Sequence, residues 1–394
     1  MSIDLRPAQL APAAAAPPRE LEVLFTGSGS EYFRIWAVNL LLVLLTLGLY
    51  LPFAKARRIR YVYANTLVDG QALAFHGNPW KMLRGFLLLV VFMGAYTLAG
   101  EFEPAAAVPV LLLLYAIWPA LWRASMQFRL GNTSWRGLRL GFEGGLKEVY
   151  LACAPVYLPL VLTTVFTAQA ATHGPSADPG VNGLLWSLAS TAAWVLMAPW
   201  SLARFKRYQH RGYRIAGQHS RVELPTRSVY FIGLKALMLG LFGVFVVVLF
   251  GFVIGAVLAL IGTGKLGGPG SGTYYGLTFS ALSFLMYGAL LIPYAATRVQ
   301  NLVWSRTSSE CLRFEGVMDG WALASLTARN WILIVLTLGL YRPFAVMATV
   351  RLRLESVRIT SSSDPADWVA PRQAAASDAT GEVAGDFFGV DMGL

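Results

Sequence analysis

One stretch of the chain occurs twice, and its two copies constrain the fold more than any other feature. Asn39-Leu-Leu-Leu-Val-Leu-Leu-Thr-Leu-Gly-Leu-Tyr-Leu-Pro-Phe-Ala54 returns as Asn330-Trp-Ile-Leu-Ile-Val-Leu-Thr-Leu-Gly-Leu-Tyr-Arg-Pro-Phe-Ala345. Asn39, Thr46, Gly48, Tyr50, Pro52 and Ala54 match Asn330, Thr337, Gly339, Tyr341, Pro343 and Ala345 at a constant offset of 291 residues. A match of this length reads as an internal duplication. Each copy is apolar up to Pro-Phe-Ala and then meets basic residues, as segments leaving a bilayer do.

Composition agrees. Of 394 residues, 56% are hydrophobic and 13% charged, about half the charged share of a soluble domain. Several runs exceed the roughly 18 apolar residues that cross a hydrocarbon core, which excludes a soluble multidomain protein. The formal charge of +11 is not spread as in a nucleic-acid-binding chain: Lys and Arg cluster where apolar runs stop. Cys153 and Cys311 form neither a disulfide framework nor a CxxC metal site. Residues 1–20 read as a disordered Pro/Ala-rich leader without a signal peptide's apolar core, 21–360 as one membrane domain, and 361–394 as a disordered tail.

Between the duplicated runs the pattern predicts three helical hairpins, each with an uncharged or acidic connector on one side and a basic one on the other. The connectors at Glu101–Pro104, around His173 and at Gly262–Gly272 hold one basic residue, Lys265. The opposite segments carry Arg57, Arg58, Arg123, Arg204, Arg298 and their neighbours, so their basic ends are assigned to the cytoplasm. If the first and last runs each span once, both termini lie outside and Arg351, Arg353 and Arg358 face the wrong way. A break at 46–50, with its twin at 337–341, turns each run into a re-entrant or interfacial hairpin and leaves both termini inside. We favour the break.

The basic ends superpose on their prolines. Pro52 and Pro119 are each followed by Asn-Thr (Asn65-Thr66, Asn132-Thr133) and then by glycines at matching spacing (Gly70 and Gly77, Gly137 and Gly144). Pro199, Pro293 and Pro343 open further copies. This gives five copies of one unit: an apolar helix with proline near its inner end, a basic extension and a small β-hairpin closed by positive-φ glycines. The expected fold is an all-α polytopic membrane protein with six to eight transmembrane helices, internal repeats, two re-entrant terminal helices and small cytoplasmic β-hairpins.

Three blocks carry a family resemblance. They are Phe25-Thr-Gly-Ser-Gly-Ser-Glu-Tyr-Phe33, the stretch Asn39 to Arg58, and Tyr63-Ala-Asn-Thr66 continuing through Asp69-Gly to His76-Gly-Asn-Pro79. Together they resemble the YjgN family of bacterial inner-membrane proteins over about residues 22–360. The resemblance implies a multi-pass protein of the inner (plasma) membrane and supplies no activity. Ala54 departs from the tryptophan expected there in many relatives.

No catalytic constellation is legible. His76, His173, His210 and His219 lack paired metal-ligand spacing, and no nucleophile elbow or phosphate loop sits between a strand and a helix. The apolar runs hold almost no ionisable residue, which argues against proton-coupled pumping. The expectation is therefore a non-enzyme without cofactor or metal, with membrane lipids, anionic ones foremost, as partners and no nucleic acid; a homo-oligomer is left open. Three function classes stay open; an intramembrane enzyme is the weakest, for want of a nucleophile–base pair, and two lead. One is a passive channel or permease for a small solute or lipid, with Asn39, Thr46, Pro52, Asn330, Thr337 and Pro343 as path-lining or gating candidates. The other is an anionic-lipid-binding scaffold or envelope assembly factor. In either, Arg57, Arg58, Arg123, Arg204, Arg298 and Arg351 are the headgroup or anion-binding candidates.

Overall fold

The computed structural model describes residues 18–102, 104–172, 180–215, 217–266, 268 and 270–369. The expected leader up to 17, the connector around His173 and the tail beyond 369 lie outside the described residues.

Both duplicated runs break where glycine precedes proline. The first is α1 (Gly29–Leu45), a turn at 46–50 and α2 (Leu51–Ala64). The last is α10 (Gly320–Leu336), a turn at 337–341 and α11 (Arg342–Glu355). The two turns share one hydrogen-bond pattern. Leu47 and Gly48 donate their N–H to Leu44 and Val43, and Leu338 and Gly339 donate to Val335 and Ile334, so each helix ends in a Schellman motif. Unusually, leucine takes the left-handed position (φ 49° and 50°) and glycine follows at φ 93° in both turns. Thr46 and Thr337 fasten them: each hydroxyl donates to the carbonyl four residues back and accepts the N–H of Tyr50 or Tyr341. Neither run continues as one long helix.

Three longer helix pairs lie between. They are α3 (Pro79–Phe102) with α4 (Pro104–Gly131), α5 (Leu146–Thr172) with α6 (Gly180–Arg211), and α7 (Thr226–Thr263) with α8 (Ser271–Met286). A π-helical turn (Tyr287–Leu291) joins α8 to α9 (Ile292–Trp304), so that arm bends ahead of Pro293. Among the described residues, four helical stretches are long and apolar enough to cross a membrane: Pro79–Phe102, Ala107–Gly131, Thr226–Thr263 and Ser271–Trp304. The pairs pack in chain order, and α1 lies against α11, so the series closes on itself.

The strands do not stay separate hairpins. β1 (Arg19–Leu21) and β2 (Val23–Phe25) form one segment interrupted at Glu22; β8 (Gln218–His219) and β9 (Arg221–Val222) form another, interrupted at Ser220. Between them come β3 (Thr66–Val68), β4 (Gln71–Phe75), β5 (Thr133–Trp135), β6 (Leu138–Phe142) and β7 (Tyr213–Ile215); after them come β10 (Thr307–Ser308), β11 (Leu312–Gly316) and β12 (Val357–Ser361). One sheet runs β2-β3-β4-β5-β6-β7-β8 and the other β9-β10-β11-β12-β1, every pairing antiparallel. Walking from partner to partner through the two interrupted segments returns to the start. The sheets therefore close into a ring, and all five helix pairs feed it from one side.

Turn chemistry sets the hairpins. Asp69-Gly70 and Arg136-Gly137 hold two successive positive φ angles between the paired residues Val68–Gln71 and Trp135–Leu138, the type I′ geometry that matches strand twist. Alternation then points one face of each strand into the ring. Leu21, Trp135, Leu138 and Leu312 meet there, with Val68, Leu73, Ile215, Phe314 and Ile359 packed against them. A helical turn at 365–369 adds Trp368 and Val369 to this core. The tail boundary expected at 361 is thus too early. Residues 361–369 pack against the ring because Trp368 and Val369 supply apolar surface that composition averaged over the tail conceals.

Two stability effects follow. Gly48→Ala and Gly339→Ala each place a Cβ at φ 93°, and each should cost about 1–3 kcal/mol, read as a lower midpoint in detergent-solubilised thermal unfolding. Trp135→Ala, which empties the ring core, should cost about 3–5 kcal/mol in the same assay.

Candidate functional site: a cationic collar above the β-ring

The five helices that lead into the ring, α2, α4, α6, α9 and α11, each carry a proline, in the first turn of α2, α9 and α11 (Pro52, Pro293 and Pro343) and inside α4 and α6 (Pro119 and Pro199). Beyond it each continues for several turns before its strand begins, and these extensions form a collar. Side chains close the collar between neighbours. Trp122 of α4 packs on Phe205 and Tyr208 of α6 with centroids 5.0 and 5.5 Å apart. His210 of α6 meets Trp304 of α9 at 5.0 Å. Arg353 of α11 donates to Gln300 of α9 at 2.9 Å.

Lys206 of α6 is partly buried; burial, and after it the charges of Arg353 of α11 and Arg129 of α4, push its ammonium pKa down. Lys206 donates to Gln209 at 3.1 Å, while Arg129 and Arg353 remain solvent-exposed. Beneath lies a cavity of about 270 Å³ bounded by Tyr63, Arg129, Tyr213, Trp304 and Thr307, with Leu312 and Phe314 as its floor. Burial pushes the Tyr213 hydroxyl up to about 12, against smaller opposing effects of Arg129 and Gln209. His210 is buried, its Nδ1 3.0 Å from the Thr307 hydroxyl. Leu312, Phe314 and Ile215 of its lining belong to the ring core as well.

The residues singled out from sequence are placed differently. Asn39 is buried and accepts from Arg57 at 3.4 Å; Asn330 is buried with its amide nitrogen 3.4 Å from the Ala345 carbonyl. Thr46 and Thr337 fasten the turns described above. Pro343 is fully buried, and Pro52 borders a groove between α2, α3 and α4. The arginines act largely as clamps. Arg123 donates to the Gly144 carbonyl at 2.6 Å, Arg351 to Gly27 at 3.0 Å and Arg204 to Leu151 at 3.2 Å. Arg60 and Arg207 do the same to Gly77 and Leu224. Arg57 also covers the Tyr50 ring and Arg298 the Tyr294 ring; Arg58 is exposed and near Tyr32. These clamps hold the bends that return each strand towards the next helix.

Sequence reading missed Arg129, Lys206 and Arg353. Their signal is phase rather than type. Lys206 lies seven residues past its proline, and Arg129 and Arg353 lie ten past theirs. Among the described residues, no group of three or more His, Cys, Asp and Glu side chains could hold a metal ion.

A family model described as "Bacterial protein of unknown function (DUF898)" matches residues 20–387. The chain belongs to this family. Curated relatives agree: it is 30% identical over 146 residues to "Inner membrane protein YjgN" of Salmonella typhimurium, covering 36% of this chain and 37% of that one. To the protein of that name from Escherichia coli O157:H7 it is 30% identical over 194 residues, 43% of this chain and 48% of the relative. The matched region thus spans less than half of each relative. No solved structure matches the chain. With its long apolar helices, this kinship makes the chain a multi-pass protein of the bacterial inner membrane.

Ionisation of Tyr213 tests the geometry below the collar. Because its pKa lies above the unfolded value, the stability tied to its neutral form is complete below pH 10 and falls as pH rises towards about 12. Tyr213→Phe should remove one phenolate absorbance step with a midpoint near 12.

Proposed function

We propose that the chain is a non-catalytic inner-membrane protein that gives a small anionic solute a passive path along the collar axis, gated at the β-ring. The supporting observation is that the charges of Arg353 and Arg129, on two other helices, bear on the partly buried Lys206, and that Arg129 also borders the cavity. Like charges held together oppose folding unless something else is served, and a cationic constriction raises the local anion concentration. The cavity below is small and rimmed by aromatic and hydroxyl groups, which suits a solute of a few heavy atoms. Its floor and Trp368 act as the gate. In this reading the five proline-bearing units descend from one duplicated ancestor, the three long pairs supply six spans, and the terminal runs are half-depth hairpins, with the ring on the cytoplasmic side.

The filled ring core favours a second reading, a scaffold that binds anionic lipid and conducts nothing. Flux separates the two. In proteoliposomes the full chain should move chloride, phosphate or a small carboxylate faster than a matched cation. Lys206→Gln should cut the anion rate several-fold, as expected on removing one close charge, and Trp368→Ala should raise it. If neither the wild type nor Trp368→Ala exceeds protein-free vesicles, the path is wrong and the scaffold remains.

A further inference from the structure

A cavity of about 400 Å³ opens between α7, the π-helical turn, α9 and α10. Leu239, Leu290 and Ala324 give it apolar walls, and the mostly exposed Trp321 borders it. Leu239 and Leu290 belong to Thr226–Thr263 and Ser271–Trp304, two of the stretches long and apolar enough to cross a membrane. Two opposite charges also line it: Arg298 of α9 and Asp319, the N-cap of α10, both exposed. They do not pair with each other. The Arg298 guanidinium lies over the Tyr294 ring, 5.8 Å from its centroid, and the Asp319 carboxylate accepts the N–H groups of Trp321 and Ala322 at 3.2 and 3.1 Å. A third group is independent of both. Thr297 lines the cavity and is 3% exposed, and among the described residues its hydroxyl has no hydrogen-bond partner. Thr278, Thr327 and Thr349 each donate to the carbonyl four residues back, and Thr297 does not. A buried hydroxyl left without a partner costs free energy, which a ligand oxygen would recover.

We propose that this cavity binds a zwitterionic phospholipid, with the phosphate at Arg298, the headgroup ammonium at Asp319, a lipid oxygen at the Thr297 hydroxyl and the upper acyl methylenes against Leu239 and Leu290. Charge selects the class. A carboxylate on the wall opposes an anionic lipid, and a guanidinium opposes a bare amine. A cation and an anion held apart on one lining match a headgroup that carries both. Asp319 can still accept from an ammonium, because each of its oxygens takes one backbone N–H and has a lone pair to spare. The apolar walls on membrane-length helices select a lipid over a free zwitterion. The site does not depend on whether any solute crosses the collar.

The test uses the full chain in nonionic maltoside micelles carrying a trace of photoactivatable phosphatidylethanolamine or phosphatidylglycerol, with labelled peptides mapped by mass spectrometry. The ethanolamine probe should label residues 286–298 and 317–325 more strongly than the glycerol probe. Asp319→Asn keeps a capping oxygen for α10 but removes the charge. It should lower ethanolamine-probe labelling about fivefold, the effect of one charge near a headgroup, and leave the glycerol probe at or above its wild-type level. Arg298→Gln should lower both. Thr297→Val should hold or raise the lipid-free unfolding midpoint while shrinking the rise that phosphatidylethanolamine produces. A Cβ at Gly320 meets only the Thr297 methyl, at 3.8 Å, so Gly320→Leu should fill the cavity with both charges in place and block labelling. Equal labelling by the two probes, label centred elsewhere, or an ethanolamine preference that survives Asp319→Asn would each overturn the site. Loss of label to excess free phosphoethanolamine would overturn the assignment to a lipid. If Asp319→Asn fails to fold, Gly320→Leu decides alone, and undiminished label there sinks the proposal. Flux through the collar is read separately, so loss of either proposal leaves the other standing.

Discussion

The antiparallel pairing of the first described strand with the last holds the molecule together. Arg19 sits opposite Ser361 and Leu21 opposite Ile359, joining residues more than three hundred positions apart. Without that pair, β12 and the β1–β2 segment would both be edges, each offering unpaired N–H and C=O groups next to an apolar face. With it, the ring has no edge and its inward side chains share one core. Arg19 reinforces the closure: its guanidinium reaches Asp69 at 2.8 Å, at the tip of the first hairpin, and Asp364 at 3.1 Å, just past the last strand. Arg19 and Asp364 are about half exposed, so these ion pairs contribute little energy, and their part is to set register.

Closure explains why the duplicated runs must break. A ring fed from one side needs every strand to begin and end on that side. A single-pass run between β2 and β3 would deliver β3 to the opposite face of the membrane, and the same holds between β11 and β12. The Schellman turns at Leu47-Gly48 and Leu338-Gly339 bring each run back. Placing leucine rather than glycine in the left-handed position costs about 1 kcal/mol or more. Both leucines are almost fully exposed at the turn, so they pack against nothing in the protein.

Much of this was legible in the chain. The repeated Thr-Leu-Gly-Leu-Tyr-x-Pro announced two equivalent breaks, and Asp69-Gly70 announced a tight turn, because local backbone demands leave local residues. Closure was not legible, because strands as short as Thr307–Ser308 carry no alternation to read and their partners are set by distant turns. The arginines also carry a role that the sequence does not display. Arg123 and Arg351 occupy the membrane exit where headgroup contacts are expected, yet their donors go to the carbonyls of Gly144 and Gly27. Glycine at those bends exposes a carbonyl that helix and sheet leave unpaired, and an arginine one helix away satisfies it.

That use of arginine sharpens the contrast with the collar. Where basic residues clamp backbone, their charge is met by an acceptor and the same structure could be built with neutral donors, as Asn301 does at the Met318 carbonyl (2.8 Å). Lys206, Arg129 and Arg353 are met differently. Among the described residues, Lys206 and Arg353 donate to neutral partners, the amide oxygens of Gln209 and Gln300. On the proposed reading, an anion passing the collar would supply countercharge to Lys206 and Arg353, a demand that no backbone clamp makes.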